Sequence, residues 1–178
     1  LEISGRIQSG ENIKLRDSNQ TNFVLQISLP KQTKYKNWTH RNGNSEHQIN
    51  HPYLNDEPKL VWKVKIGRDS NSKFRITSDP VVADNEIYVL NSQSTVLKLS
   101  PDGNIHWKKN LTPAFESEAD TSAGGIAFGA NKVFSSTGFG ELFALSPDNG
   151  EIIWRQRFQA PLNSAPTVAG NQVFGMTS

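Results

Sequence analysis

Apolar and polar residues alternate along most of the chain in runs too short for helices, and turn residues break the runs. The clearest case is Gly138–Trp154. Glu141, Leu142, Phe143, Ala144 and Leu145 form an apolar run, Ser146-Pro147-Asp148-Asn149-Gly150 a turn, and Glu151, Ile152, Ile153 and Trp154 the returning run. This predicts a β-hairpin ending in a buried indole, with Asn149-Gly150 its tightest pair because both accept positive φ. The same pattern stands earlier at Thr95–Trp107, where Leu99-Ser100-Pro101-Asp102-Gly103 lies opposite Leu145 to Gly150 in a turn one residue shorter.

The remaining runs extend the repeat. Leu60, Trp62, Val64 and Ile66 alternate with Lys59, Val61, Lys63 and Lys65, which predicts a half-buried strand over 59–66. Four strands follow, over about Ser78–Ala83, Glu86–Asn91, Thr95–Leu99 and Ile105–Leu111, with a turn at Asp84-Asn85. After a polar spacer the unit restarts. Gly125-Ile126-Ala127-Phe128 lies opposite Pro80-Val81-Val82-Ala83, and Lys132-Val133-Phe134-Ser135 opposite Glu86-Ile87-Tyr88-Val89. A third copy begins at Ser164, with Pro166 to Ala169 and Gln172 to Phe174 in the matching places. Trp62, Trp107 and Trp154 each end a strand, 45 and then 47 residues apart. Four-stranded units of that length read as β-propeller blades, whereas solenoid repeats carry helices or shorter turns. The fold class is therefore all-β, an incomplete propeller of about two and a half blades. The expected parts are an outer strand at 59–66, blades at 78–111 and 124–158, and a partial blade at 164–178. Closing a ring takes at least about four blades, so the chain reads either as a fragment or as one of two copies that complete a ring; a fragment is the simpler reading, and 164–178 should then show unpaired edges or an exposed face.

Residues 1–58 read as a polar N-terminal extension. Weak alternation at Arg6–Leu15 and better alternation at Asn22–Leu29 predict two short strands, the second ended by Pro30. Residues 37–58, with five Asn, Gly43, Pro52 and Pro58, predict a loop. His47 and His51, four apart, would suit a metal only on a helix, so ordinary hydrogen bonding is expected of them. The acidic run Glu116, Glu118 and Asp120 reads as a solvated loop rather than a cation site.

Composition narrows the picture without changing it. A hydrophobic share of 35% with abundant small polar residues suits short strands with wet outer faces. Net charge is +2, so no strong field draws nucleic acid or an anionic membrane. No apolar run spans a bilayer. The chain starts at Leu1 without a signal peptide and reads as a processed or trimmed product. With no cysteine there is no disulfide, thiolate metal site, thiol nucleophile or lipid-bearing cysteine within it.

The hairpin Ala144–Trp154 resembles the PQQ-like repeat of quinoprotein propellers, whose docking motif runs Ala-x-Asp-x-x-x-Gly-x-x-x-Trp. Ala144, Gly150 and Trp154 match, and Ser146 replaces the Asp. The first copy has Gly103 and Trp107, with Lys98 at the Ala position. Asn37-Trp38, Asn42-Gly43-Asn44 and His47 are similar to the segment that precedes blade one in this family. The combination is most similar to outer-membrane assembly factors of the BamB family, alphaproteobacterial type. That resemblance implies a periplasmic lipoprotein scaffold carrying an eight-bladed propeller. It would bind the periplasmic domains of BamA and other assembly-machinery subunits, and assist unfolded β-barrel clients. It would touch the membrane only through a lipid anchor outside this chain. It implies no catalytic, cofactor-binding or metal-binding residue. Trp62, Trp107, Trp154, Gly103, Gly150 and Ala144 are structural positions of the repeat.

Two other functions use the same fold. A quinoprotein dehydrogenase would bind PQQ and Ca²⁺ through acidic and Asn ligands with a catalytic Asp, and is much longer. A sensor or binding propeller is the other. The residues themselves show no paired carboxylates in a pocket, no nucleophile elbow and no phosphate-cradling loop, since Gly138-Phe139-Gly140 joins two strands. Phe115, Phe139 and Arg68 lie on inter-strand loops as candidate partner contacts, with packing or solvation the plainer role for each.

Overall fold

The computed structural model describes residues 13–16, 22–25, 28–67, 76, 78–114, 116 and 124–178. Strands and loops, and no helix, occur among them. The chain divides into two compact units, Leu1–Lys34 with Asn50–Leu54, and Tyr35–Ile49 with Asn55–Ser178. In the first unit β1 (Ile13–Arg16) pairs antiparallel with β2 (Asn22–Leu25). Of the run predicted to reach Leu29, Asn22–Leu25 is described as strand, residues 26 and 27 lie outside the described residues, and Leu29 is exposed. Thr33 bridges Pro52, and His51 Nδ1–H donates to the Pro30 carbonyl at 2.7 Å.

The second unit holds the repeat. Its first blade is β3 (Val81–Ala83), β4 (Glu86–Leu90), β5 (Thr95–Leu99) and β6 (Ile105–Asn110), paired antiparallel in sequence order. The second is β7 (Gly124–Gly129), β8 (Lys132–Thr137), β9 (Glu141–Leu145) and β10 (Ile152–Arg157) in the same order. β11 (Thr167–Ala169) and β12 (Gln172–Phe174) form a two-stranded third sheet. The fourth strand of each blade is the least buried: β9 is wholly buried and β10 wholly exposed. The core runs between the first two blades, where Val81, Tyr88, Leu90 and Val96 pack with Ile126, Phe128 and Val133. Tyr88 stacks on Phe128 with ring centres 5.6 Å apart, and Trp107 lies 6.2 Å from Tyr88.

Several expectations are corrected here. The pairs Ala83–Glu86, Gly129–Lys132 and Ala169–Gln172 close the three tight hairpins, so Gly129, not Phe128, corresponds to Ala83. The reason is that Ala130 and Asn131 form the turn, both at positive φ, as Asp84 and Asn85 do. Lys59–Ile66 alternates half-buried and exposed residues only from Trp62 onward and joins no sheet, because no described strand lies alongside to pair its backbone. Leu60 and Val61 are accordingly 84% and 87% exposed. The boundary at residue 58 moves as well, since Tyr35–Ile49 packs with the blades. In the Ser146–Gly150 turn only Gly150 takes positive φ (73°); Asn149 Oδ1 instead accepts the Glu151 N–H at 3.0 Å. Residues 164–178 are partly tied down by a Leu162–Thr177 bridge, yet leave Phe174 and Met176 54% and 69% exposed.

Candidate functional site

Two devices join the blades. The first is the indole dock. Each hairpin carries a bulge just before its tryptophan, at His106 and at Ile153, where one strand gains a residue against the other. Trp107 then reaches the turn of the second blade, where its indole N–H donates to the Pro147 carbonyl at 3.0 Å. Its ring fills the space beside Gly150, where an added Cβ would lie 2.6 Å from the indole. Trp62 repeats this on the first blade, donating to the Pro101 carbonyl at 2.6 Å and covering Gly103. Glycine at these two positions thus serves both the turn and the close approach of the ring. Trp154 differs: it packs on Phe134 of its own blade and remains 37% exposed, with no receiving turn among the described residues. Its predicted burial is corrected on that ground. Ala144, fully buried, sits opposite Trp154 in the ladder and belongs to one buried cluster with Ala127, Phe134 and Val168.

The second device is a strap, residues 38–47, which the sequence presents only as a loop. Trp38 exchanges two backbone hydrogen bonds with Val82 at 2.7 and 2.8 Å. The next carbonyl, of Thr39, accepts the Phe128 N–H at 2.8 Å. The next side chain, of His40, accepts the Val168 N–H on Nε2 at 2.9 Å. Val82, Phe128 and Val168 are the same position in three successive blades, each one residue before the closing pair of the first hairpin. Three consecutive strap residues therefore each take the same amide of one blade. His47 adds a fourth tie, with Nδ1 bonded to the Arg41 carbonyl and Nε2 to the Thr167 hydroxyl, both at 2.8 Å. His40 is 2% exposed, and burial first, then the neighbouring His47, lowers its pKa below the ordinary 6.5.

The other polar clusters are modest. Glu86 lies between Lys98 (3.7 Å) and His106 (3.4 Å) on the face of the first blade. The Tyr88 phenol nearby is pushed up to about 12 by burial and then by Glu86, Asp84 and Asp148, so it stays protonated near neutrality. Among the described residues no three His, Asp or Glu side chains are grouped to hold a metal. Of the loop candidates, Arg68 and Phe115 lie outside the described residues, as do Glu118 and Asp120. Phe139 is half-buried and lines an open hollow of about 540 Å³ with Arg157, Phe158 and Pro161. Sequence reasoning missed His40 and its partner Val168. The only signal was the Trp38–His47 segment itself, which names the residues but not the strands they meet.

Comparison with known proteins adds sequence and fold relatives. A family model described as outer membrane protein assembly factor BamB matches residues 92–178. The outer membrane protein assembly factor BamB of Yersinia pestis is 26% identical over 155 residues, covering 82% of this chain and 39% of that protein. Among solved structures, a europium-containing methanol dehydrogenase superposes with a TM-score of 0.63 at 22% identity, over 78% of this chain and 27% of the other. Quinohemoprotein alcohol dehydrogenases from Pseudomonas putida and Comamonas testosteroni give 0.62 and 0.61 at 20% and 21% identity, over 78% of this chain and 22% of each of theirs. The chain spans about two-fifths of the curated relative and about a quarter of the solved structures. At such identities the structural likeness shows the fold alone, a propeller of PQQ-like blades.

Proposed function

We propose that this PQQ-like-repeat, BamB-like propeller segment is part of a non-enzymatic scaffold subunit of the outer-membrane β-barrel assembly machinery. In this reading the parent protein works in the periplasm, attached to the inner face of the outer membrane by an N-terminal lipid anchor. It binds the periplasmic domains of BamA and other machinery subunits, and assists the insertion of unfolded β-barrel clients. The observation that carries the reading is the 26% identity to Yersinia pestis BamB across 155 residues. The internal chemistry is consistent with it: His40, His47, Asn91 and Ser136 are each engaged in holding one segment of the chain to another. What remains for a partner is shape and loop side chains, of which Phe139 and Phe158 around their hollow are the best-placed aromatic anchors.

A quinoprotein dehydrogenase shares the fold, but fold does not carry function. Calorimetric titration of the full-length protein with the soluble periplasmic region of BamA from the same organism separates the two. Saturable binding, weakened about tenfold or more by Phe139→Glu, is expected. Absence of binding, together with stoichiometric quinone absorbance after addition of PQQ and Ca²⁺, would replace the scaffold reading with the enzyme.

A further inference from the structure

We propose that His40 is a pH-sensitive latch: its neutral ring holds the Val168 amide of the third blade to the strap, and its protonated ring releases that amide while the His47–Thr167 tie stays in place. The donor directions carry the inference. The group that meets His40 Nε2 is the backbone N–H of Val168, at 2.9 Å, and it can only donate. Nε2 must therefore offer a lone pair, which puts the ring proton on Nδ1, and Nδ1 lies 2.9 Å from the Thr39 hydroxyl. An imidazolium has a proton on both nitrogens and no lone pair left. Protonation would thus set two N–H groups against each other at a buried site, and the pair must separate. Burial, which disfavours the charged ring, keeps the latch closed at neutral pH.

His47 shows why the device belongs to His40. Its Nε2 meets a hydroxyl, which accepts as readily as it donates, and its Nδ1 meets a carbonyl, so both contacts survive in either charge state. The other titratable or charged side chains of the strap are His47, Arg41 and Glu46, with Arg41 paired to Asp79 at 3.5 Å. The strands the strap crosses, Val81–Ala83, Gly124–Gly129 and Thr167–Ala169, contain no titratable side chain. No carboxylate on those strands is placed to compensate the imidazolium, so acidification acts on the Val168 contact directly. The first and second blades keep their ties, because those run to backbone carbonyls of Trp38 and Thr39 that do not titrate.

The test is hydrogen–deuterium exchange of the full chain at about pH 7.5 and about pH 5, corrected for the intrinsic pH dependence of amide chemistry. Peptides containing Val168 should lose protection by up to about tenfold per pH unit below the transition, while those containing Val82 and Phe128 hold theirs. His40→Gln, whose side-chain oxygen can accept the amide but cannot titrate, should remove the pH dependence. Equal protection of Val168 at both pH values in the wild type would overturn the latch, as would the same acid loss in His40→Gln. A direct reading needs no variant: in the ¹⁵N spectrum of the wild-type imidazoles, His40 should be the Nδ1–H tautomer at about pH 7.5. A proton on Nε2 there would also overturn it.

Discussion

At the scale of single residues, Trp107 satisfies two requirements with one side chain. Its ring excludes water between two blades, on the order of 200 Å² of apolar surface, and its N–H satisfies the Pro147 carbonyl. Trp107→Ala should therefore cost about 3–5 kcal/mol in denaturant unfolding. A loss below about 1 kcal/mol would mean that the ring is not packed there. Trp154→Ala in this chain should cost clearly less, because that indole is 37% exposed. Ala130 offers the opposite case. It is an exposed alanine held at φ 45° in the turn between β7 and β8, where a Cβ is unfavourable. Ala130→Gly should raise stability by about 0.5–1 kcal/mol, net of the greater freedom glycine gains when unfolded. An unchanged or lower midpoint would contradict the strain.

At the scale of elements, legibility followed how much of the needed information was local. Thr95–Leu99 has the same bounds in sequence and structure, because alternation and a turn at each end are both written in neighbouring residues. Lys59–Ile66 alternates just as well yet pairs with nothing described, since alternation reports which face is buried and not whether a ladder partner exists. The one-residue offset in β7 has a similar origin: Ala130 is no turn residue by composition, so the sequence does not mark where this turn begins, although Ala130 and Asn131 both take positive φ. The strap was invisible for a stronger reason. Its ties link His40 to Val168 across 128 positions, largely through backbone groups that every residue carries. What holds β7 against the third blade was also hidden. A Cβ on Gly125 would lie 2.4 Å from the Ala165 backbone, so two chain segments touch where a larger residue cannot fit. Gly125→Ala should cost about 1–3 kcal/mol by overpacking, and an unperturbed melting temperature would show that the contact yields.

At the scale of the whole molecule, stability should depend on pH through His40. Its folded pKa lies below 6.5, so between the two values the unfolded chain binds a proton that the folded chain excludes. Stability contributed by the neutral ring is full above about pH 6.5 and is lost as pH falls toward the lowered folded value. The melting temperature of wild type should thus drop more on acidification than that of His40→Gln, and parallel curves would contradict it. The blades themselves stand or fall by their docks. Each sheet is too thin to bury both faces alone and depends on its neighbour, with the indole of one blade seated on the glycine turn of the next. A double-mutant cycle of Trp107→Ala and Gly150→Ala tests that seating most directly, because the added Cβ meets the ring 2.6 Å away, whereas the strain it suffers at φ 73° is the same with or without the indole and cancels in the cycle. The expected result is that Gly150→Ala costs at least about 1 kcal/mol less once the indole is gone. Additivity to within about 0.5 kcal/mol would show that the two residues do not meet, and that the blades are joined in some other way.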